Sequence, residues 1–156
     1  GLNSEIKSNV KFRTKGNFSY DSKQRFSNIF GENAVSLTSF KNPFEKTILN
    51  SKLLILTYPY TVFSESMYSN VPTVLILKKN YWQMSKRSED ILNDLIKNKI
   101  VFDNFDEAKD HINKYWNNID IWWKSENVQI SRKRFLKNFF VLNLTGLKSG
   151  QITFIF

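Results

Sequence analysis

The stretch from Lys52 to Leu77 reads KLLILTYPYTVFSESMYSNVPTVLIL. Lys52–Thr57 is apolar at consecutive positions, and so is Thr73–Leu77. Consecutive apolar positions mark strands buried on both faces, which is the pattern of a parallel sheet. Between them Tyr58-Pro59-Tyr60 makes a turn, and the residues from Thr61 to Ser69 form a helix. Strand, helix, strand in so short a span predicts a βαβ unit, with the two strands as central neighbours.

Working outward, the same alternation continues. Val10–Arg13 reads as a first strand. Asp21 caps a helix that runs to about Phe30 and stops at Gly31. Ala34–Leu37 is a second strand, and Pro43 opens a helix to about Asn50. Beyond the central unit, Ser88–Lys97 places Ile91, Leu92, Leu95 and Ile96 at helical spacing. Ile100–Phe102 is a short strand. Asn104 or Phe105 starts a helix with Phe105, Ala108, Ile112 and Tyr115 on one face. Ser125 caps a last helix to about Phe140, with Val128, Phe135 and Phe139 inward. The expected architecture is α/β: a Rossmann-like three-layer sandwich on a mostly parallel sheet of about five strands. Residues 1–143 make that domain. Residues 144–156, ending in the apolar ITFIF, form a tail that serves as an edge strand or an interface segment.

Composition narrows the chemistry. A chain of 156 residues supports one sizeable core. It has no Cys, so disulfides, thiolate nucleophiles and Cys-ligated zinc are excluded. His111 is the only His, which excludes a multi-His metal site. No apolar run approaches the roughly 20 residues of a membrane-spanning helix. No secretory signal is visible, and the absence of an initiator Met leads us to expect a piece of a longer protein. The net charge of +9 invites polyanions. An A- and T-rich coding bias accounts equally well for abundant Lys and Asn beside only two alanines, Ala34 and Ala108.

In doubly wound sheets, ligands bind beyond the carboxyl ends of the strands. The turn from Lys52–Thr57 into the following helix is therefore the candidate site. Thr61 and Ser64 bring hydroxyls, and the amides of Thr61 to Ser64 are expected to point out of the helix start, where the dipole favours anions. Capping of the helix by Thr61 and a favourable dipole contact by Glu65 explain the same residues without a ligand. His111, within an amphipathic helix, reads as structural, and the tryptophans from Trp116 to Trp123 read as core. Asp103, Asp106 and Glu107 read as a cap region and first-turn acids, with no metal site among them.

Glu65-Ser66-Met67 and Asn70-Val71-Pro72-Thr73, placed between the two buried strands, resemble the donor-nucleotide half of GT-B fold glycosyltransferases. Tyr81-Trp82, Ile100, Phe105 to Ala108, His111-Ile112, Trp116, Trp122-Trp123 and Val128-Gln129 extend the likeness to a bacterial family of surface-carbohydrate transferases. Val10 to Arg13 fits that family's opening strand, so the resemblance spans roughly Val10 to Phe140. Thr57 and Tyr60 depart from its pattern, which has an acidic and a small hydroxyl residue there.

The resemblance implies a nucleotide-sugar donor site made of Thr61, Val62, Ser64, Glu65, Arg13 and Tyr81. Glu65 takes a ribose or sugar hydroxyl, and Thr61 and Ser64 with nearby amides hold the phosphates. Arg13, at the end of the first strand, suits a phosphate or is a surface arginine, and Tyr81 stacks on a base or is simply packed. No catalytic residue, metal or cofactor is implied; the nucleotide sugar is substrate. The acceptor, a glycan or lipid-linked sugar, is reached through a second domain, so the chain alone is expected to be inactive. Its setting is the cytoplasm, with peripheral association at the inner face of the membrane. Two other readings compete: a basic α/β domain that binds nucleic acid, and a non-catalytic transferase-like scaffold.

Overall fold

The computed structural model describes residues 1–14, 22–37, 44–78, 80 and 85–139. Within the chain there are two compact units, residues 1–51 and 52–156.

The first unit opens with α1 (Ser4–Asn9), β1 (Phe12–Thr14) and α2 (Ser22–Phe30). A 3₁₀ turn over Glu32–Ala34, β2 (Val35–Leu37) and α3 (Phe44–Leu49) follow. Gly31 ends α2 at φ 86, a left-handed conformation open to glycine without a Cβ penalty. The two strands pair in parallel, with Phe12 opposite Val35 and Leu37 opposite Thr14. Phe12 stacks on Phe26 with ring centroids 4.5 Å apart, and tilts against Phe30 at the same distance. Ile6, Ala34 and Ile48 are buried in this unit. Asp21 and Pro43, read as helix-starting residues, lie outside the described residues.

The second unit holds β3 (Leu54–Leu56), α4 (Thr61–Tyr68), β4 (Thr73–Ile76), α5 (Lys86–Lys97) and β5 (Val101–Phe102). It continues with α6 (Phe105–Tyr115), a 3₁₀ turn over Trp116–Asn118, α7 (Ile119–Trp123) and α8 (Glu126–Phe139). The sheet order is β3-β4-β5, all parallel, with Leu54 opposite Thr73 and Leu75 opposite Val101. Thr73, Val74 and Leu75 are all buried, so both faces of β4 are covered. Helices α4 and α8 pack together, as do α5 and α8, while α6 lies against β4 and β5.

The α/β class and the parallel strands agree with the expectation; the sheet does not. In place of one sheet of about five strands, the described residues show a parallel pair and a separate parallel triplet. The reason is in the pairing: β1 and β2 hydrogen-bond to each other, and β3 to β5 among themselves. The two buried-strand runs are neighbours, as read, but only β4 is central. Strand β3 sits at the edge of its triplet, and Ile55 is exposed there. The tail read as an edge strand lies outside the described residues.

Caps explain where the helices begin. Ser85 accepts a hydrogen bond from the Ser88 amide at 3.3 Å, so α5 starts two residues before Ser88. Asn104 Oδ1 accepts from the Glu107 amide at 2.8 Å, and Glu107 accepts in return from the Asn104 side-chain amide at 3.1 Å. No helix among the described residues is long and apolar enough to cross a membrane.

Candidate functional site

Because β3 and β4 run parallel, their carboxyl ends meet at one edge of the sheet. Thr57 to Tyr60 leaves β3 at that edge, and Leu77-Lys78 leaves β4. Tyr60 is the N-cap of α4, with extended backbone and no side-chain cap bond. Its carbonyl accepts from the amides of Phe63 at 2.9 Å and Ser64 at 3.4 Å. Two of the four expected donors are thus turned inward. Among the described residues, no acceptor meets the amides of Thr61 and Val62. No acidic side chain occupies the first turn of α4. The helix start therefore keeps its partial positive charge.

Thr61, Val62, Ser64 and Glu65 are half-buried on this first turn and a half. One α-helix thus brings together four of the six residues read as donor-binding. Arg13 belongs to the first unit. It lies in the middle of β1, opposite Ser36, and its guanidinium donates to the Thr47 hydroxyl. That bond ties β1 to α3. Tyr81, the sixth, lies outside the described residues.

Two features here were not read from sequence as part of the site. The Tyr58 and Tyr60 rings lie parallel within 11°, centroids 6.2 Å apart, and both are exposed. The alternation Y-P-Y was the available signal. The far end of α4 is also braced. Arg132 Nη1 donates to the Met67 carbonyl at 2.5 Å, and Arg132 Nε to Gln129 Oε1 at 3.0 Å. Gln129 in turn donates to Asn70 Oδ1 at 3.2 Å. Burial lowers the pKa of the Arg132 guanidinium from its ordinary value. A cation at a helix carboxyl end is favourable to the dipole, so the brace and the open helix start have matching polarity.

A family profile described as LIC12162 family transferase matches residues 1–145. The chain belongs to this transferase family. No curated protein and no solved structure gives a match.

The other titratable candidate is placed in the core. The His111 ring lies 4.6 Å from Trp122 edge-on, 4.8 Å from Tyr115 and 5.2 Å from Phe102, centroid to centroid. Its Nε2 is buried and meets no hydrogen-bond partner among the described residues. Burial, with Lys99 and Lys114 nearby, pushes its pKa down to about 4. A neutral imidazole packed among aromatics is a structural group at ordinary pH. Trp122 and Trp123 are likewise buried, with their indole N–H groups bonded to the Asn98 and Asn70 carbonyls at 3.1 and 3.0 Å.

Proposed function

We propose that this chain is the donor-binding part of a glycosyltransferase that uses a nucleotide sugar, in the making of bacterial surface carbohydrate, with its phosphates seated at the start of α4. The observation that supports the reading most directly is the pair of amides, Thr61 and Val62, that meet no acceptor among the described residues where β3 crosses into α4. Thr61 and Ser64 on the same turn carry hydroxyls for the phosphates, and the resemblance assigns Glu65 to a ribose or sugar hydroxyl. The half-GT-B architecture is part of the proposal.

In such a transfer the bond between the anomeric carbon and the phosphate oxygen breaks, and the nucleoside diphosphate or monophosphate leaves with the electron pair. The acceptor hydroxyl bonds to the anomeric carbon and gives its proton to a base. Amides preset toward the leaving phosphate stabilise the charge that develops there. The base and the acceptor site belong to a second domain, and the acceptor is a glycan or lipid-linked sugar at the inner membrane face.

Titration calorimetry with nucleoside diphosphates and cytidine monophosphate tests the reading. Wild type binds, and Thr61→Ala/Ser64→Ala binds markedly less, since each hydrogen bond to a charged group contributes roughly 1.5–3 kcal/mol. Wild-type failure to bind any of them, alongside salt-sensitive binding of duplex DNA, replaces this reading with the nucleic-acid one.

A further inference from the structure

We propose that Tyr58 and Tyr60 form a stacking platform for the nucleobase of a nucleotide bound at the start of α4. The inference rests on the donor-binding reading above and adds to it the part of the ligand that these two rings recognise.

Both tyrosines stand in the crossing from β3 to α4, at the carboxyl end of the strand. Both are more than half exposed, at 65% and 62%. Single exposed aromatics are ordinary on a protein surface. Two in one turn, with faces parallel within 11° and centroids 6.2 Å apart, are an ordered aromatic surface. Pro59 between them fixes its own φ and holds Tyr58 out of helical conformation. The backbone beneath the two rings is thus restrained before a ligand arrives, which lowers the ordering cost of binding.

The neighbours decide which flat ligand fits. Tyr60 is followed directly by Thr61 and Val62, whose amides meet no acceptor among the described residues. A π-face and an anion-favouring helix start, one residue apart in the chain, complement a ligand that joins an aromatic ring to a phosphate. A nucleotide has both; a free hexose phosphate offers no aromatic face. Bases of every kind stack on tyrosine, so the platform confers affinity for the base as a class more than choice among bases.

The test compares uridine and cytidine 5′-monophosphates with ribose 5-phosphate, which keeps sugar and phosphate but lacks the base. Calorimetry uses the whole chain and the variants Tyr58→Ala, Tyr60→Ala and Tyr60→Phe. Wild type should bind the nucleotides at least tenfold tighter than ribose 5-phosphate. Each alanine variant should lose roughly tenfold or more for nucleotides and nothing for ribose 5-phosphate, as base–aromatic stacking predicts. Tyr60→Phe, which keeps the ring, should stay at wild-type affinity. Both positions are exposed, and unchanged thermal midpoints will show that the variants fold. Nucleotide binding equal in wild type and both alanine variants overturns the platform and leaves the donor reading standing. Wild type that binds neither nucleotide nor ribose 5-phosphate overturns the donor reading itself, and the platform with it.

Discussion

The indole N–H of Trp123 points at Asn70 and meets both its backbone carbonyl and its side-chain Oδ1 at 3.0 Å. Asn70 sits at φ 54, in the left-handed region, two residues past the end of α4. A single residue therefore terminates α4, turns the chain toward β4 and anchors the α7–α8 corner. Asn tolerates this backbone better than most residues, and its Oδ1 is the acceptor that Gln129 reaches.

Asn70→Gly and Asn70→Ala separate the two contributions. Gly removes the side-chain acceptor but accepts the positive φ. Ala removes the acceptor and adds strain. We expect a loss of about 1 kcal/mol for Gly and about 2 kcal/mol or more for Ala. Urea denaturation of the two variants checks the order; Ala at or above Gly in stability would show that φ 54 costs nothing here.

A second network joins α5 to α8. Ser131 Oγ, buried, donates to Asp94 Oδ2 at 2.9 Å, and Asn98 Nδ2 donates to Ser131 Oγ at 2.7 Å. Arg134 lies 3.5 Å from the same carboxylate oxygen but is half exposed. The buried hydrogen bonds should outweigh the solvated ion pair. Asp94→Ala strands the Ser131 hydroxyl and should cost about 2 kcal/mol, against less than about 1 kcal/mol for Arg134→Ala. Equal losses in chemical denaturation would mean that the ion pair dominates.

His111 predicts an acid sensitivity. Its folded pKa, near 4, lies below the ordinary 6.5. Between those values the unfolded chain binds the proton and the folded chain does not, so stability falls as pH drops from about 6.5 to about 4. The contribution is complete above that window and gone below it. Allowing for the solvent that still reaches the ring, about 1–2 kcal/mol is at stake. His111→Gln should flatten this part of the profile. Thermal unfolding of both proteins from pH 7 to 4 gives the difference; parallel profiles would show that the ring titrates normally.

Much of the second unit was legible because its signals are local. Consecutive apolar residues from Thr73 to Leu77 marked β4, and Ala108 and Ile112, four apart, marked the inner face of α6. The start of α5 was misplaced because Lys86-Arg87 are polar, and apolar spacing first shows at Ile91. Helices α1 and α7 are six and five residues long, too short for a periodicity to stand out. Strand pairing is non-local, and no residue in β1 or β2 states that they pair with each other. At the site, the hydroxyls and Glu65 of α4 were visible. The brace from Arg132 was not, since 65 residues separate it from the Met67 carbonyl.

Glu65 tests the division of labour along α4. The resemblance assigns it to a hydroxyl of the donor, so Glu65→Ala should weaken nucleoside diphosphates by roughly tenfold to a hundredfold. Inorganic phosphate has no hydroxyl-bearing ring and should bind nearly as before. Competition calorimetry with both ligands reads the split; equal losses would move Glu65 from ligand recognition to the upkeep of the helix.

Thr61→Pro gives the sharpest separation of binding from folding. Thr61 is the first residue of α4, and Tyr60 before it is extended, at φ −92 and ψ −159. Proline is favoured at the first helical position, and an extended preceding residue accommodates it. Its ring removes an amide that has no acceptor among the described residues, so folding loses no hydrogen bond. Stability should stay within about 0.5 kcal/mol of wild type or rise slightly, since proline restricts the unfolded chain. If the amide and hydroxyl of Thr61 hold a phosphate, the same change removes both and should weaken nucleoside diphosphates by roughly tenfold or more. Thermal unfolding and calorimetry on the one variant give both readings. A stable Thr61→Pro protein that binds nucleotides as wild type does would remove the start of α4 from the donor site.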